Sequence, residues 1–362
     1  MSQSPRESTR RHTRKHGTAR FVAALLLLAL SWPAAAEAPH GKPGSHIPDG
    51  GDASEYWDLV AAFESGHTLF ARFMITHEGP GQNTAIAYGH LVEPDGTTWP
   101  WHNGKREENW DLEQDGTVLD VGSSELYLNG PPHRLLVKKR KKTAGIRIDL
   151  EITPEGPPAW DRRESDGMDI DLLASGAQVS GSVWLRDMRK PLALNGRAGL
   201  THSWMPRSEP DVSQRRIDFF SLHGDTLLYL REQIAPDGHR SGWLHLARNG
   251  KTLLETGDFA LIAAGRSSAQ SDPHYPLPAR LALTSEQVDG EIQLGAGLLH
   301  HDPMEIIPQP FRFLLSFKMR PLRVWTKSPF DVSFRSDADP IRIRGSGITV
   351  VTYLNPASAA TP

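Results

Sequence analysis

The sequence predicts an all-β protein built from two consecutive antiparallel barrels or sandwiches. Short runs of alternating apolar and polar residues recur about every dozen residues, and Asp-Gly or Asn-Gly pairs separate many of them. No stretch shows a helical period over about twelve residues or more. The 32 glycines, 28 prolines and 10 tryptophans supply turn formers and large aromatic side chains, which suit such a fold.

The N-terminal residues have the features of a secretory signal peptide. The basic segment RRHTRKHGTAR precedes the apolar run FVAALLLLALSW, and the small residues of PAAAE follow. The run is too short to span a bilayer, which needs roughly 20 apolar residues. We expect cleavage after Ala36, which would remove residues 1–36 and leave a periplasmic or secreted protein without a transmembrane segment. Residues 37–53 contain turn formers without periodicity and are predicted to be a disordered lead-in.

The alternation begins in EYWDLVAAF, which is also compatible with a short helix, and continues to the C-terminus. HRLLVKKRKKTAGIRIDL is typical of a hairpin with the basic run Lys138–Lys142 at its turn. The segment MPRSEPDVS, residues 205–213, has two prolines and no pattern, and is the best candidate for a domain boundary. We therefore predict one β domain over residues 54–207 and a second over residues 208–356.

Composition excludes several classes of function. The chain has no cysteine, so disulfides, thiol nucleophiles and cysteine-ligated metals are excluded. Its net charge of −3 gives no global basic field for binding nucleic acid. We predict neither a metal nor a cofactor.

Four segments resemble the carotenoid 1,2-hydratase (hydroxyneurosporene synthase) family: EYWDLVAAFESGHTLFARF, AYGHLVEPDG, LTHSWMP and a long stretch that begins at IDFFSLHGD. The resemblance implies two lipocalin-like barrels and an apolar, isoprenoid-like ligand. It also implies catalysis by a His-x-Trp pair and a Tyr-x-Asp pair. His202, Trp204 and Tyr229 match these motifs, but Arg231 stands where the family has its aspartate.

That replacement bears on the chemistry. Hydration of an isolated alkene needs a positioned acid with a raised pKa to protonate carbon. Arg231 stays protonated and cannot serve as that acid, but it suits an anionic group such as a carboxylate or phosphate. Another acid would have to act instead, and four candidates lie nearby in sequence: Asp58, Glu209, Asp218 and Glu232.

Three hypotheses remain open at this stage. The first is an exported protein that carries an apolar ligand, lipid or isoprenoid-like, in a cavity near the junction of the barrels. His202, Trp204, Tyr229 and Arg231 would line this cavity, and Trp57, Tyr88 and His90 would add contacts with the ligand. The second is a cofactor-independent hydratase, isomerase or cyclase that uses His202, Trp204 and Tyr229. The third is an envelope-assembly module without a ligand, in which the His202–Trp204 pair is only packing.

Three further motifs allow a functional interpretation and also a simpler structural one. Ser221, His223 and Asp225 could form a triad, but no G-x-S-x-G elbow surrounds the serine. His300, His301 and Asp302 could bind a metal, although adjacent strand histidines point to opposite faces and loop histidines are a simpler explanation. The basic run Lys138–Lys142 is typical of a solvated hairpin tip, or of peripheral contact with anionic lipid.

Overall fold

The structure, a computed structural model, is almost entirely β, with two curled antiparallel sheets and three short helical segments among the residues it describes. This confirms the predicted fold class. The predicted signal peptide lies outside the described residues, as does most of the predicted lead-in. No helix in the described part of the chain is long and apolar enough to cross a membrane. The described residues are 44–46, 51–77, 83–106, 110–112, 116–139, 145–160, 167–186, 188–222, 224–268, 272–335 and 340–355.

The first sheet is formed by the N-terminal strands. Its strands are β1 (Ser54–Phe63), β2 (Thr68–Thr76), β3 (Thr84–Val92), β4 (Thr98–Lys105), β5 (Asp111–Leu112), β6 (Val118–Asp120), β7 (Ser124–Tyr127), β8 (His133–Lys139), β9 (Ile146–Thr153), β10 (Ala159–Trp160), β11 (Asp169–Leu185) and β12 (Leu192–Met205). Their order is β4-β3-β2-β1-β12-β11-β9-β8-β7-β6-β5, and β10 pairs with β11. The first and last long strands, β1 and β12, are therefore neighbours.

The second sheet repeats this arrangement with the C-terminal strands. Its strands are β13 (Arg215–Ser221), β14 (Thr226–Ile234), β15 (Arg240–Arg248), β16 (Lys251–Thr256), β17 (Ala260–Ala264), β18 (Arg280–Thr284), β19 (Val288–Gln293), β20 (Gly297–His301), β21 (Leu322–Phe334) and β22 (Ile341–Tyr353). Their order is β16-β15-β14-β13-β22-β21-β19-β18-β17, and β20 pairs with β21. The helices are α1 (Glu209–Val212), α2 (Phe311–Leu315) and a 3-10 turn at Pro303–Ile306.

Each sheet has an inner face that encloses its own core and an outer face that meets the other sheet. In the first sheet, the inner face of β1 carries Leu59, which lies opposite Leu200 of β12 in the first core. The alternate residue Val60 lies on the outer face, because side chains of a strand alternate between faces. There it joins an apolar layer shared by both sheets, in which the rings of Phe70 and Trp325 lie 4.9 Å apart.

A glycine in β12 permits this close contact between the sheets. A Cβ atom added to Gly199 would lie 2.4 Å from a ring carbon of Phe220 in β13. We expect Gly199→Ala to lower the free energy of unfolding by about 1–3 kcal/mol, because overpacking shifts neighbouring side chains. The matched control is Gly104→Ala in β4, where a Cβ would meet no atom within 4 Å. Urea unfolding measures the stability of both variants. Equal losses of stability would contradict the expected overpacking at Gly199.

Predictions for several local segments can be compared with the structure. EYWDLVAAF forms the strand β1, so the helical alternative is excluded. The patternless segment 205–213 contains α1, whose Val212 is buried. Strands β8 and β9 form the predicted hairpin, and the ammonium group of Lys138 lies 2.7 Å from Glu125. Residues 140–142 of the basic run lie outside the described residues.

Candidate functional site

The seven predicted site residues fall on two sides of the first sheet. Trp57 and His202 lie opposite each other on the inner face of β1 and β12, and Trp204 follows on the same face. The remaining four lie on outer faces, between the two sheets: Tyr88, His90, Tyr229 and Arg231. The structure therefore does not bring the His-x-Trp pair and the Tyr-x-Arg pair into one cavity.

An aspartate from the neighbouring strand contacts Tyr229. Asp218 of β13 lies opposite Arg231 in the sheet. It accepts hydrogen bonds from the Tyr229 hydroxyl (2.9 Å) and from the Nε atoms of Arg231 (2.6 Å) and Arg216 (3.0 Å). A carboxylate is thus present beside the tyrosine, although Arg231 occupies the motif position.

A second carboxylate–guanidinium group adjoins the first. Arg72 of β2 donates two hydrogen bonds to Asp58 of β1, at 2.6 and 2.5 Å. Glu209 of α1 accepts from Arg72 (3.2 Å) and from Arg216 (2.9 Å). Arg216 also donates to the hydroxyl of Tyr56. The segment predicted to be a domain boundary thus contributes a largely buried carboxylate to the contact between the sheets.

The carboxylates of this cluster stay ionised. Burial by itself raises the pKa of Glu209, but the attraction of Arg72, Arg216 and Arg323 outweighs burial and lowers that pKa to about 2. The pKa values of Asp58 and Asp218 are lowered in the same way, since arginines outweigh burial there as well.

The hydroxyl of Tyr229 stays protonated. Burial of Tyr229 and the negative charge of Asp218 raise the pKa of this hydroxyl well above the ordinary value. Since a general acid needs a pKa near the working pH, neither this hydroxyl nor the ionised carboxylates suit that role.

Arg323 of β21 is the least satisfied cation in the cluster. Its guanidinium approaches Asp58 and Glu209 only to 3.6 and 3.8 Å, outside hydrogen-bond distance, although only 4% of the residue is exposed. It lies between two small cavities and lines both of them. One cavity, about 20 Å³, is lined by the charged groups of the cluster on one side and by apolar residues that include Phe70, Phe220 and Trp325.

The other cavity, about 80 Å³, lies against the segment that joins β20 to β21. Its walls are largely apolar side chains: Met74, Ile86, Pro210, Met304, Ile306, Ile307, Met319, Pro321 and Leu354. The same segment carries Phe313, Leu314 and Phe317, which are 59%, 60% and 75% exposed. The segment that lines this cavity therefore also carries exposed apolar side chains.

A larger groove, about 840 Å³, lies between the sheets near the turn that joins β1 to β2. Phe63, Val92 and Ile348 contribute to its walls, together with the charged residues Glu64 and Lys327. It contains none of the predicted site residues.

His202 forms a buried cluster on the inner face of the first sheet. Its Nε2 atom lies 2.7 Å from Oε1 of Glu55, and neither residue is exposed. The Trp57 ring stacks on the imidazole with 4.5 Å between centroids, and the His46 ring stacks at 5.0 Å. Asp171 of β11 lies directly opposite His202 in the sheet and is fully buried.

The sequence analysis did not identify Glu55 and Asp171 as partners of His202. The acids proposed there lie elsewhere: Asp58 and Asp218 are on outer faces, and Glu232 pairs with Arg215 at 3.2 Å. The alternation in EYWDL, which places Glu55 on the face of Trp57, is the signal that could have identified the first partner.

The other motifs have structural roles where the structure describes them. The Ser221 hydroxyl accepts from the backbone N–H of Leu228 at 2.8 Å, and Asp225 pairs with Arg248. His223 lies outside the described residues. His300 and His301 belong to β20 and not to a loop, and only His301 is buried.

His301 meets the predicted ligand contact His90 across the two sheets, with 4.6 Å between ring centroids. Burial lowers the pKa of His90 to about 4 and that of His301 to about 3. Both imidazoles are therefore neutral at pH 7, so the pair adds no charge beside Tyr88.

No protein family model and no curated protein matches this sequence. Several solved structures do match. One is a Nitrosomonas europaea protein assigned as an AttH, with 16% identity, a TM-score of 0.61, and coverage of 89% of this chain and 98% of that chain. The chain shares the fold of that protein. CghA in complex with Sch210972 matches at 13% identity and TM-score 0.58, over 89% of this chain and 97% of CghA.

Kievitone hydratase from Nectria haematococca matches at 10% identity and TM-score 0.53, over 87% of this chain and 92% of the hydratase. The predicted resemblance to a hydratase family is thus supported in part, by a likeness of fold to one protein that is a hydratase. At these identities it shows the fold and not the activity.

Proposed function

We propose that this chain binds an apolar molecule that carries an acidic group, between the two sheets and against Arg323. The observation that carries this proposal is the surplus of positive charge in the buried cluster. Arg72, Arg216, Arg231 and Arg323 supply four guanidinium groups, whereas three carboxylates stay ionised among them. Among the residues that the structure describes, one buried positive charge is left without a matching carboxylate, and uncompensated buried charge is costly.

Arg323 is the guanidinium whose hydrogen-bond donors are least used within the cluster. Arg72, Arg216 and Arg231 each donate at least two hydrogen bonds within the cluster. Arg323 approaches its two carboxylates without a hydrogen bond and lines both cavities. A carboxylate or phosphate there would gain charge-assisted, bidentate contacts. The anion-binding role expected of Arg231 is therefore assigned to Arg323.

The apolar part of the ligand would lie along the cavity under the 303–321 segment. Met74, Met304 and Met319 are among its walls, and methionine side chains adapt readily to a ligand's shape. Opening this 80 Å³ space needs rearrangement of these side chains. The exposed Phe313 and Phe317 of the same segment provide an apolar surface through which such a molecule can approach.

We favour ligand binding over hydratase-type catalysis in the cavities that Arg323 lines. The carboxylates beside the cavities have lowered pKa values, so they cannot donate a proton at neutral pH. With the expected signal peptide, the ligand would be held outside the cytoplasm, in the periplasm or the medium.

We expect the delipidated protein to bind palmitate, and Arg323→Gln to weaken this binding by about tenfold or more. The reason is loss of the charge-assisted contact to the carboxylate. Methyl palmitate, which has no charge, should bind both proteins equally and so shows that the variant still folds. Quenching of tryptophan fluorescence measures each affinity.

The matched control is Arg342→Gln, which removes an exposed arginine paired with Asp331. It should leave the affinity for palmitate unchanged. The proposal fails if the wild-type protein binds neither probe, or if Arg323→Gln binds palmitate as tightly as wild type. Native mass spectrometry of protein from its own envelope would then identify the natural ligand.

A further inference from the structure

We propose that His46, Asp171 and His202 bind a divalent transition-metal ion inside the first barrel, with Glu55 holding His202 in position. The possible ligand atoms of these three residues all lie within 4.8 Å of one another. Asp171 and His202 are fully buried, and His46 is half-buried. The site lies on the opposite face of the sheet from Arg323, so it is independent of the proposed ligand site.

The hydrogen bonding of Glu55 determines which nitrogen of His202 is available. Glu55 also accepts from the backbone N–H of His46 (2.8 Å) and from the hydroxyl of Ser45 (2.6 Å). Glu55 accepts from both of those partners, and the same role toward His202 makes Nε2 the donor in that contact. In the neutral imidazole, Nδ1 then carries a lone pair that can bind a metal.

That nitrogen has no hydrogen-bond partner in the described part of the chain, although it is buried. A buried polar atom without a partner costs free energy, and a bound cation would remove this cost. The arrangement is also the usual one for a metal-binding histidine, whose second nitrogen donates to a carboxylate that fixes the ring. Glu55 therefore has the position of an orienting group and Asp171 that of a ligand.

Buried imidazole nitrogens without a hydrogen-bond partner occur elsewhere among the described residues, so the Nδ1 of His202 does not by itself define the site. His133, His245 and His301 also have buried ring nitrogens without a partner. Of these four histidines, only His202 belongs to a group of three potential ligands among the described residues. The convergence of a second histidine and an aspartate on His202 is what distinguishes it.

The ligand set limits the kind of metal. Two imidazole nitrogens and one carboxylate oxygen suit zinc and its first-row neighbours, whereas calcium and magnesium prefer oxygen ligands only. Three protein ligands leave at least one coordination position open. The rings of Trp57 and Trp204 pack on His202 and shield the site from water.

The test is a Zn²⁺ titration of the full chain after chelator treatment, in competition with a chromophoric chelator. We expect one Zn²⁺ per chain. His46→Gln should weaken affinity by more than about 100-fold, because it removes a direct ligand from a short segment outside the sheets. Glu55→Gln should weaken it by about 10–100-fold, as second-sphere changes usually do.

The matched control is His133→Gln, which removes another buried histidine of the same sheet and should leave Zn²⁺ affinity unchanged. Circular dichroism confirms that each variant is folded. Co²⁺ gives a second readout, because its visible absorption bands should appear with wild type and be lost with His46→Gln. Substoichiometric Zn²⁺ in the wild type, or equal affinities for wild type and His46→Gln, would overturn the proposal.

Discussion

Asp218→Asn is expected to lower the free energy of unfolding by about 3–5 kcal/mol, the usual cost of breaking a buried ion pair. Asp218 is 4% exposed and accepts hydrogen bonds from Arg216, Arg231 and Tyr229. Its replacement by asparagine keeps the size of the side chain but removes the negative charge. Arg231 then loses its nearest counter-charge, and Arg216 keeps only Glu209 as a hydrogen-bonded carboxylate, in a cluster that already has surplus positive charge.

Asp331→Asn is the matched control for this prediction. Asp331 also accepts from two arginines, Arg342 and Arg344, but its carboxylate is 41% exposed. Solvent screens exposed pairs, so the control should lose far less stability. Urea unfolding at pH 7 gives both values, and similar losses would show that the buried cluster does not stabilise the contact between the sheets.

Acidification should destabilise the protein through Glu209. Its pKa is about 2 in the folded protein, against an ordinary value of 4.5, because the attraction of three arginines exceeds the effect of burial. A lowered pKa gives stability that is fully present above about pH 4.5 and is lost as the pH falls towards 2. At about 1.4 kcal/mol for each pKa unit, this loss amounts to about 3 kcal/mol. Asp58 and Asp218 act in the same direction.

Urea unfolding at a series of pH values between 7 and 2.5 tests this expectation. Glu209→Gln should be less stable than wild type at pH 7 and should show a smaller loss on acidification. Glu232→Gln is the control, because burial raises the pKa of Glu232 and its contribution has the opposite sign. If Glu209→Gln and wild type lose stability in parallel, the carboxylate of Glu209 does not carry the effect.

The local pattern of the sequence was enough to predict strands and turns. Alternation with period two placed His202 and Trp204 on one face, and Asn-Gly marked the turn between β15 and β16, where Asn249 and Gly250 have φ values of 51° and 71°. These features depend on neighbouring residues only, so they can be inferred without knowing the fold. The same pattern could not show which face of β12 points inward.

The partners of the site residues depend on strand pairing over long distances. Glu55 and His202 are 147 residues apart and meet because β1 pairs with β12. Arg323 approaches Asp58 because β21 of one sheet packs against β1 of the other. No local pattern encodes such contacts, since they follow from register and from the packing of one sheet on another.

The sequence by itself therefore determined the all-β class, the positions of most strands and the residues that share a face, because these follow from side-chain alternation and turn chemistry. Only the tertiary structure decided that the His-x-Trp pair and Arg231 lie on opposite sides of one sheet. It also decided that Asp218 neutralises Arg231 while Arg323 keeps a surplus charge. The physical reason is that charge balance and burial are properties of side chains brought together by folding, and not of any single segment.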